Sequence, residues 1–181
     1  VAQPPRLFTD ACNVHISMAS CEERGLLVVS GDHTGTAEDL SDYDLLVYDM
    51  RTRSWLPVGS PARTMPAHLP VEMHKPCLAF LNGQLVVAGE PDSSSDGSLY
   101  GWDEASRLWE KLPSMPFPVY DAAHAVIGQR LYVIGGHGEQ DPGDDPFTRL
   151  QIYDAATRAW SSWRCSSLIS DTSGISTPIS S

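Results

Sequence analysis

Three apolar runs along the chain stop at glycine: Leu26-Leu27-Val28-Val29-Ser30-Gly31, Leu85-Val86-Val87-Ala88-Gly89 and Leu131-Tyr132-Val133-Ile134-Gly135-Gly136. They are continuous rather than alternating, which predicts strands covered on both faces. Shorter apolar segments, Cys77 to Leu81 and Ala122 to Ile127, precede the second and third runs across Asn82-Gly83 and Gly128-Gln129. Such dipeptides supply the positive φ of a two-residue hairpin turn. Val14 to Met18 is the corresponding segment before the first run, reached through Cys21-Glu22-Glu23-Arg24-Gly25.

After each run comes a polar, acidic stretch, then an aromatic residue and an aspartate, with a tryptophan six residues past that aspartate. The instances are Tyr48-Asp49 with Trp55, Trp102-Asp103 with Trp109, and Tyr153-Asp154 with Trp160. Tryptophan is rare enough that this shared register defines an internal repeat of roughly 50 residues. Each repeat predicts four strands: the short apolar segment, the glycine-ended run, the aromatic-aspartate strand and the tryptophan strand. No segment combines a 3.6-residue apolar period with a cap and sufficient length for a helix, and 14 Pro with 14 Gly argue the same way. A small sheet that is apolar on both faces must be stacked between others, which is the arrangement of blades around an axis.

The pattern resembles the kelch repeat family, whose units join a glycine doublet at the end of the second strand to spaced Tyr and Trp residues. The third unit carries Gly135-Gly136, Tyr153 and Trp160; the first reduces the doublet to Ser30-Gly31, and the second to Ala88-Gly89 with Trp102 in the tyrosine position. The resemblance implies an all-β fold, a kelch-type β-propeller of three four-stranded antiparallel blades, and hence a partial propeller. Expected boundaries are a lead-in or blade remnant over 1–11, repeats over 12–165 with blades at about 12–60, 76–113 and 121–165, and a Ser/Thr-rich, disordered tail over 166–181. The structural repeat positions are Gly31, Tyr48, Trp55, Gly89, Trp102, Trp109, Gly135, Gly136, Tyr153 and Trp160. Three blades are fewer than a closed ring needs. Together with Val1 in place of Met, this leads us to expect a fragment whose open blade edges self-associate.

Composition narrows the partners. A net charge of −11 and a pI near 4.7 repel phosphate backbones and anionic membranes, so neither nucleic acid nor membrane is an expected partner. Cys12, Cys21, Cys77 and Cys165 lack zinc-site spacing and read as buried free thiols, with a Cys12–Cys21 bridge as the alternative. No apolar run approaches a membrane span and no secretion signal opens the chain, so the expected location is cytoplasmic or nuclear.

The candidate chemistry is that of recognition. Loops after the second strands hold Asp32, Glu38, Asp39, Asp42 and Asp44, then Glu90, Asp92 and Asp96, then Glu139, Asp141, Asp144 and Asp145. These twelve of the 23 acidic residues have no Lys or Arg among them, and equivalent loops emerge on one face of the disc. Either they form an acidic docking face for a basic segment, or they merely keep long loops soluble. The blade connections, Pro57 to Pro76 and Pro113 to Asp121, emerge on the same face with Arg63, Met65, His68, Met73, His74, Met115, Phe117 and Tyr120; these are anchors for a peptide or are tucked under the blades. The candidate partner-binding residues are Asp32, Asp42, Arg63, Glu90, Asp92, Tyr120, His137, Glu139 and Asp144.

The histidines, His15, His33, His68, His74, His124 and His137, share no metal-ligand spacing and read as structural or solvated, although His124 lies in an innermost strand that could face the central channel. Asp141-Pro142-Gly143-Asp144-Asp145 does not match an EF-hand loop. No catalytic residue, cofactor or metal is assigned. The resemblance implies a protein-binding module, such as the substrate-recognition part of a ubiquitin-ligase adaptor in which an F-box or BTB domain precedes the repeats. Kelch-like propellers also include galactose-oxidase-like oxidases, sugar epimerases and iron-dependent specifier proteins, but the oxidase ligands find no match here and the specifier proteins' Glu-x-x-x-Asp-x-x-x-His arrangement is absent. A cytoskeletal scaffold is the remaining alternative.

Overall fold

A computed structural model describes residues 15–32, 45–73, 75–138 and 149–164, and they form twelve strands in three separate four-stranded antiparallel sheets. The first sheet contains β1 (His15–Cys21), β2 (Leu26–Asp32), β3 (Leu45–Asp49) and β4 (Ser54–Trp55). In the second are β5 (Cys77–Leu81), β6 (Gln84–Gly89), β7 (Ser98–Asp103) and β8 (Leu108–Leu112). The third comprises β9 (Ala123–Ile127), β10 (Arg130–Ile134), β11 (Arg149–Asp154) and β12 (Ala159–Arg164). Each is a meander in sequence order, so neighbouring strands are hairpin partners. These are three blades of a β-propeller, and no helix occurs among the described residues. The expected tail over 166–181 and lead-in over 1–11 lie outside the described residues.

Turn chemistry sets the register. Asn82 and Gly83 both hold positive φ (52° and 76°), the requirement of a type I′ hairpin, and pair Leu81 with Gln84. Gly128 alone is positive in the matching turn of the third blade. In the first blade β1 runs on to Cys21, beyond the Met18 expected, because Cys21 pairs with Leu26 across a four-residue turn closed by Gly25.

The ladders correct the reading of the glycine doublet. Leu85 and Leu131 occupy the same register, as do Gly89 and Gly135, so the residues opposite Gly136 in the other units are Glu90 and Asp32. The first glycine is kept in every blade; the second is replaced by an acid. Gly136 sits at φ 92°, where an added Cβ would approach the Tyr120 carbonyl oxygen and the Ala122 Cβ to 2.9 Å, so that position admits only glycine. Glu90 stands at the same place with negative φ.

Blades pack face to face. The face of the first blade with Ala19, Leu26, Val28, Leu45 and Val47 meets Leu78, Leu85 and Val87 of the second, with Trp102 and Trp109 at the margin. The opposite face of the second, with Ala79, Leu81, Val86, Ala88, Leu99 and Leu112, meets Leu131, Val133, Tyr153 and Trp160 of the third. Continuous apolarity in the second strands thus serves two seams at once: Leu85 and Val87 face one way, Val86 and Ala88 the other. Each such Leu or Val side chain removed from water stabilises the fold by about 1.5–3 kcal/mol. Innermost strands are tied through side chains: Ser17 Oγ accepts from Leu78 N (3.1 Å), and His124 Nε2 lies 2.7 Å from the Leu78 carbonyl oxygen. His124 is therefore spent between blades rather than in a channel.

Tryptophans sit at equivalent places. Each pairs across the ladder with the preceding aromatic, at centroid distances of 5.2 Å (Tyr48–Trp55), 5.5 Å (Trp102–Trp109) and 5.3 Å (Tyr153–Trp160). Trp109 Nε1 donates to the His68 carbonyl (3.0 Å) and Trp160 Nε1 to that of Pro113 (2.7 Å), so each indole grips the connection from the preceding blade. The six-residue spacing arises in the intervening turn, where Asp49, Asp103 and Asp154 accept hydrogen bonds from backbone N–H groups two or three residues on. Arg53, Arg107 and Arg158 close these turns at φ 53–57°. All three carboxyls are held below the usual range: Asp49 chiefly by the Thr52 N–H, Asp103 by the Ser106 hydroxyl and Asp154 by the Arg130 side chain.

Two outcomes follow. Trp109→Ala is expected to lower unfolding free energy by about 3 kcal/mol in denaturant titrations, through lost seam packing. Because the folded carboxyl of Asp154 is depressed, its contribution is complete above the ordinary value of 3.8 and fades as pH falls through the folded value. The stability gap between wild type and Asp154→Ala should therefore be full at neutral pH and close in acid, as followed by thermal unfolding.

Candidate functional site

In an antiparallel meander the loop after the second strand and the connection to the next blade leave from the same end of the sheet. The second blade shows what this brings together. Glu90, Pro91, Asp92, Ser93, Ser94 and Ser95 of its loop face Tyr120 of the next connection across an open cleft of about 590 Å³. Tyr120 in turn pairs with His137, both backbone hydrogen bonds measuring 2.8 Å and the rings lying 5.6 Å apart. Glu90, Asp92 and Tyr120 thus share one surface feature, with His137 behind its aromatic wall. Among the described residues no Lys or Arg lines it; Lys75, at the end of the preceding connection, is paired with Asp121 at 2.8 Å.

The rim of the cleft is fixed. Gln151, fully buried, spends its amide on the backbone of one residue of the connection: Phe117 N donates to Oε1 (3.0 Å) and Nε2 donates to the Phe117 carbonyl (2.8 Å). Glu90 N donates to the Val119 carbonyl (3.1 Å), and the Arg149 guanidinium stacks on the Phe117 ring at 3.4 Å. A rim anchored at so many points has little ordering entropy left to lose on binding.

Arg63 requires a correction. Expected among the docking residues, it is buried, and its guanidinium donates to the carbonyls of Met65 (3.2 Å), Leu56 (3.1 Å), Leu45 (2.7 Å) and Pro66. It pins the connection to β3, and a buried cation is tolerable there because carbonyl dipoles surround it. Met65, Met73 and Met115 likewise lie in the core rather than at the surface. Asp32 ends β2, while Asp42, Glu139 and Asp144 lie outside the described residues, as do His33 and His74. Cys21 and Cys77 are free and buried, and burial pushes the Cys77 thiol up to about 12. Among the described residues no three His, Cys, Asp or Glu converge to hold a metal ion, and no helix is long and apolar enough to cross a membrane.

Known proteins share this repeat. A sequence model of the Kelch motif matches residues 118–162, the stretch with Gly135-Gly136, Tyr153 and Trp160. Residues 118–162 are a kelch repeat. The chain is similar to human Kelch-like protein 38, 26% identical over 137 residues that make up 76% of this chain and 22% of that protein. Mouse Kelch-like protein 35 is 29% identical over 144 residues, 79% of this chain and 22% of the relative. A putative F-box/kelch-repeat protein of Arabidopsis thaliana is 29% identical over 92 residues, 49% of this chain and 26% of its own length. The kelch chain thus spans 22% of the length of either Kelch-like relative.

Two features of this kelch chain escaped the reading of the sequence. Gln151 gives no composition signal, since one buried amide looks like any surface glutamine. The Arg53, Arg107 and Arg158 series was visible, standing four residues past each repeat aspartate. Gln151→Ala is expected to leave the Phe117 N–H and carbonyl without their amide partner, at a cost of about 1–3 kcal/mol. Amide hydrogen exchange at Phe117 should accelerate selectively.

Proposed function

We propose that this kelch module binds a protein partner on the face carrying the loops after the second strands and the blade connections. The cleft shared by Glu90, Asp92 and Tyr120 carries the reading: it spans two adjacent blades, has a rigid rim, and offers carboxylates beside an aromatic wall. Such a surface favours a basic segment, whose encounter the net charge of −11 accelerates. Its action is binding without turnover. The F-box/kelch-repeat and Kelch-like relatives support placement in the substrate-recognition part of a ubiquitin-ligase adaptor, working in the cytoplasm or nucleus. A further copy of the chain, engaged through the open blade faces, is a second partner.

The test neutralises Asp42, Asp92 and Asp144 together as Asn and measures association with a short Lys/Arg-rich peptide by stopped flow. The expected on-rate falls about tenfold at low salt, and the difference shrinks once the Debye length drops to about 8 Å. An on-rate that neither falls in the variant nor depends on salt would assign these loops a solvating role only.

A further inference from the structure

An ion pair of the second seam has no counterpart in the first among the described residues. Arg158, four residues past Asp154, reaches Glu110 of the preceding blade at 2.7 Å. Arg107 holds the same place in the second blade, four residues past Asp103 and likewise at positive φ. Across the first seam, however, the residue in the place of Glu110 is Leu56, which follows Trp55 as Glu110 follows Trp109. Arg107 is exposed, and among the described residues nothing pairs with it. The seam beside it opens into a groove of about 250 Å³, walled by Val58, Pro61 and Pro66 of the blade connection and by Trp102. The equivalent groove of the second seam, where Leu112, Tyr153 and the Arg158–Glu110 pair stand, holds about 180 Å³. Val58 is 65% exposed, whereas Leu112, also three residues past its tryptophan, is 8% exposed. Polar groups around Arg107 are already engaged. Thr64 is clamped, its carbonyl accepting from Trp102 Nε1 (2.8 Å) and its hydroxyl from Arg24 (3.0 Å), which leaves the hydroxyl proton for a ligand. The Arg63 guanidinium is taken up by carbonyls, Glu104 by Arg24, and Asp103 by its own turn.

We propose that this groove binds an acidic segment of a partner protein, whose Asp or Glu carboxylate takes against Arg107 the place that Glu110 takes against Arg158. The site is separate from the acidic loop face. Arg107 lies in a tight turn, at the opposite end of β7 from the loop with Glu90 and Asp92. The six residues of β7, at about 3.3 Å each, put about 20 Å between the two ends, and at physiological salt the field of the loop carboxylates is screened beyond about 8 Å. An anion can therefore approach the turn end of a chain whose net charge is −11. A guanidinium offers a carboxylate two parallel N–H donors. In open water such a pair counts for little, but Val58, Pro61 and Trp102 exclude water once a segment lies along the groove, and the same contact then weighs more. These walls also choose the occupant: a small free anion leaves them wet, whereas a segment with apolar residues beside its acid covers them.

Titration of the 181-residue chain with a blocked hexapeptide carrying one central glutamate between leucines tests this at moderate salt, read by the NMR signals of the Arg107 Nε–H and the Trp102 indole N–H. Saturable shifts of both signals are expected, and the same peptide with glutamine for glutamate should bind about tenfold more weakly. Arg107→Gln, at an exposed position, should abolish binding. Arg53→Gln removes the same charge from the equivalent turn of the first blade and should leave binding unchanged. Leu56→Glu, its fold checked in the same spectrum, should block the peptide by supplying the counter-ion within the chain. Four results would each overturn the proposal: no saturable shift, equal binding of the two peptides, equal losses in Arg53→Gln and Arg107→Gln, or undiminished binding to folded Leu56→Glu.

Discussion

Everything in this structure depends on the burial of sheets that are apolar on both sides. A four-stranded meander with Leu85 and Val87 on one face and Val86 and Ala88 on the other cannot stand alone in water, and a helix layer to cover it is absent from the described residues. Stacking on like sheets is the remaining solution. Once that is imposed, the other devices have places to act. Trp109 and Trp160 close the outer margins of the two seams and hold the incoming connections by their indole N–H; Ser17 and His124 tie the inner strands; the aspartate turns hold the tryptophan strands in register.

The recognition face is a consequence of the same geometry. Because strands alternate in direction, the long loops gather at one end of the sheets while the tight turns occupy the other. Acid can collect on the loop end without disturbing a seam, since none of Glu90, Asp92 or their neighbours in the loop contributes to an apolar face. The register shift at the glycine doublet adds to this: where Gly136 is enforced by the close approach of Tyr120, the other blades relax the constraint and place Glu90 or Asp32 at the strand exit.

Much of the fold was legible because its signals are local and repeated. Asn82-Gly83 declares a turn by itself, and the offset from Asp103 to Trp109 recurs without insertion because the turn between them is closed by its own hydrogen bonds. Side chains whose role depends on distant backbone were not legible. Arg63 looked like an exposed cation in a proline-rich loop, yet it answers to carbonyls of Leu45 and Leu56 that no pattern near it announces. The methionines of the same connections were ambiguous for a similar reason, since a flexible apolar side chain fits either a docking surface or a gap in the core. Pairing Gly135-Gly136 with Ser30-Gly31 failed because two adjacent glycines offer two alignments, and only the ladder chooses between them.

If seams rather than blades are the units of stability, damage to one sheet must be felt in its neighbour. Native-state amide hydrogen exchange on Leu131→Ala measures this directly, because Leu131 belongs to the third blade but is buried wholly against the second. The account predicts that amides of β5, β6 and β7 lose protection together with those of β9, β10 and β11. Acceleration confined to the third blade, with the second unchanged, would contradict it and make each blade an independently stable sheet.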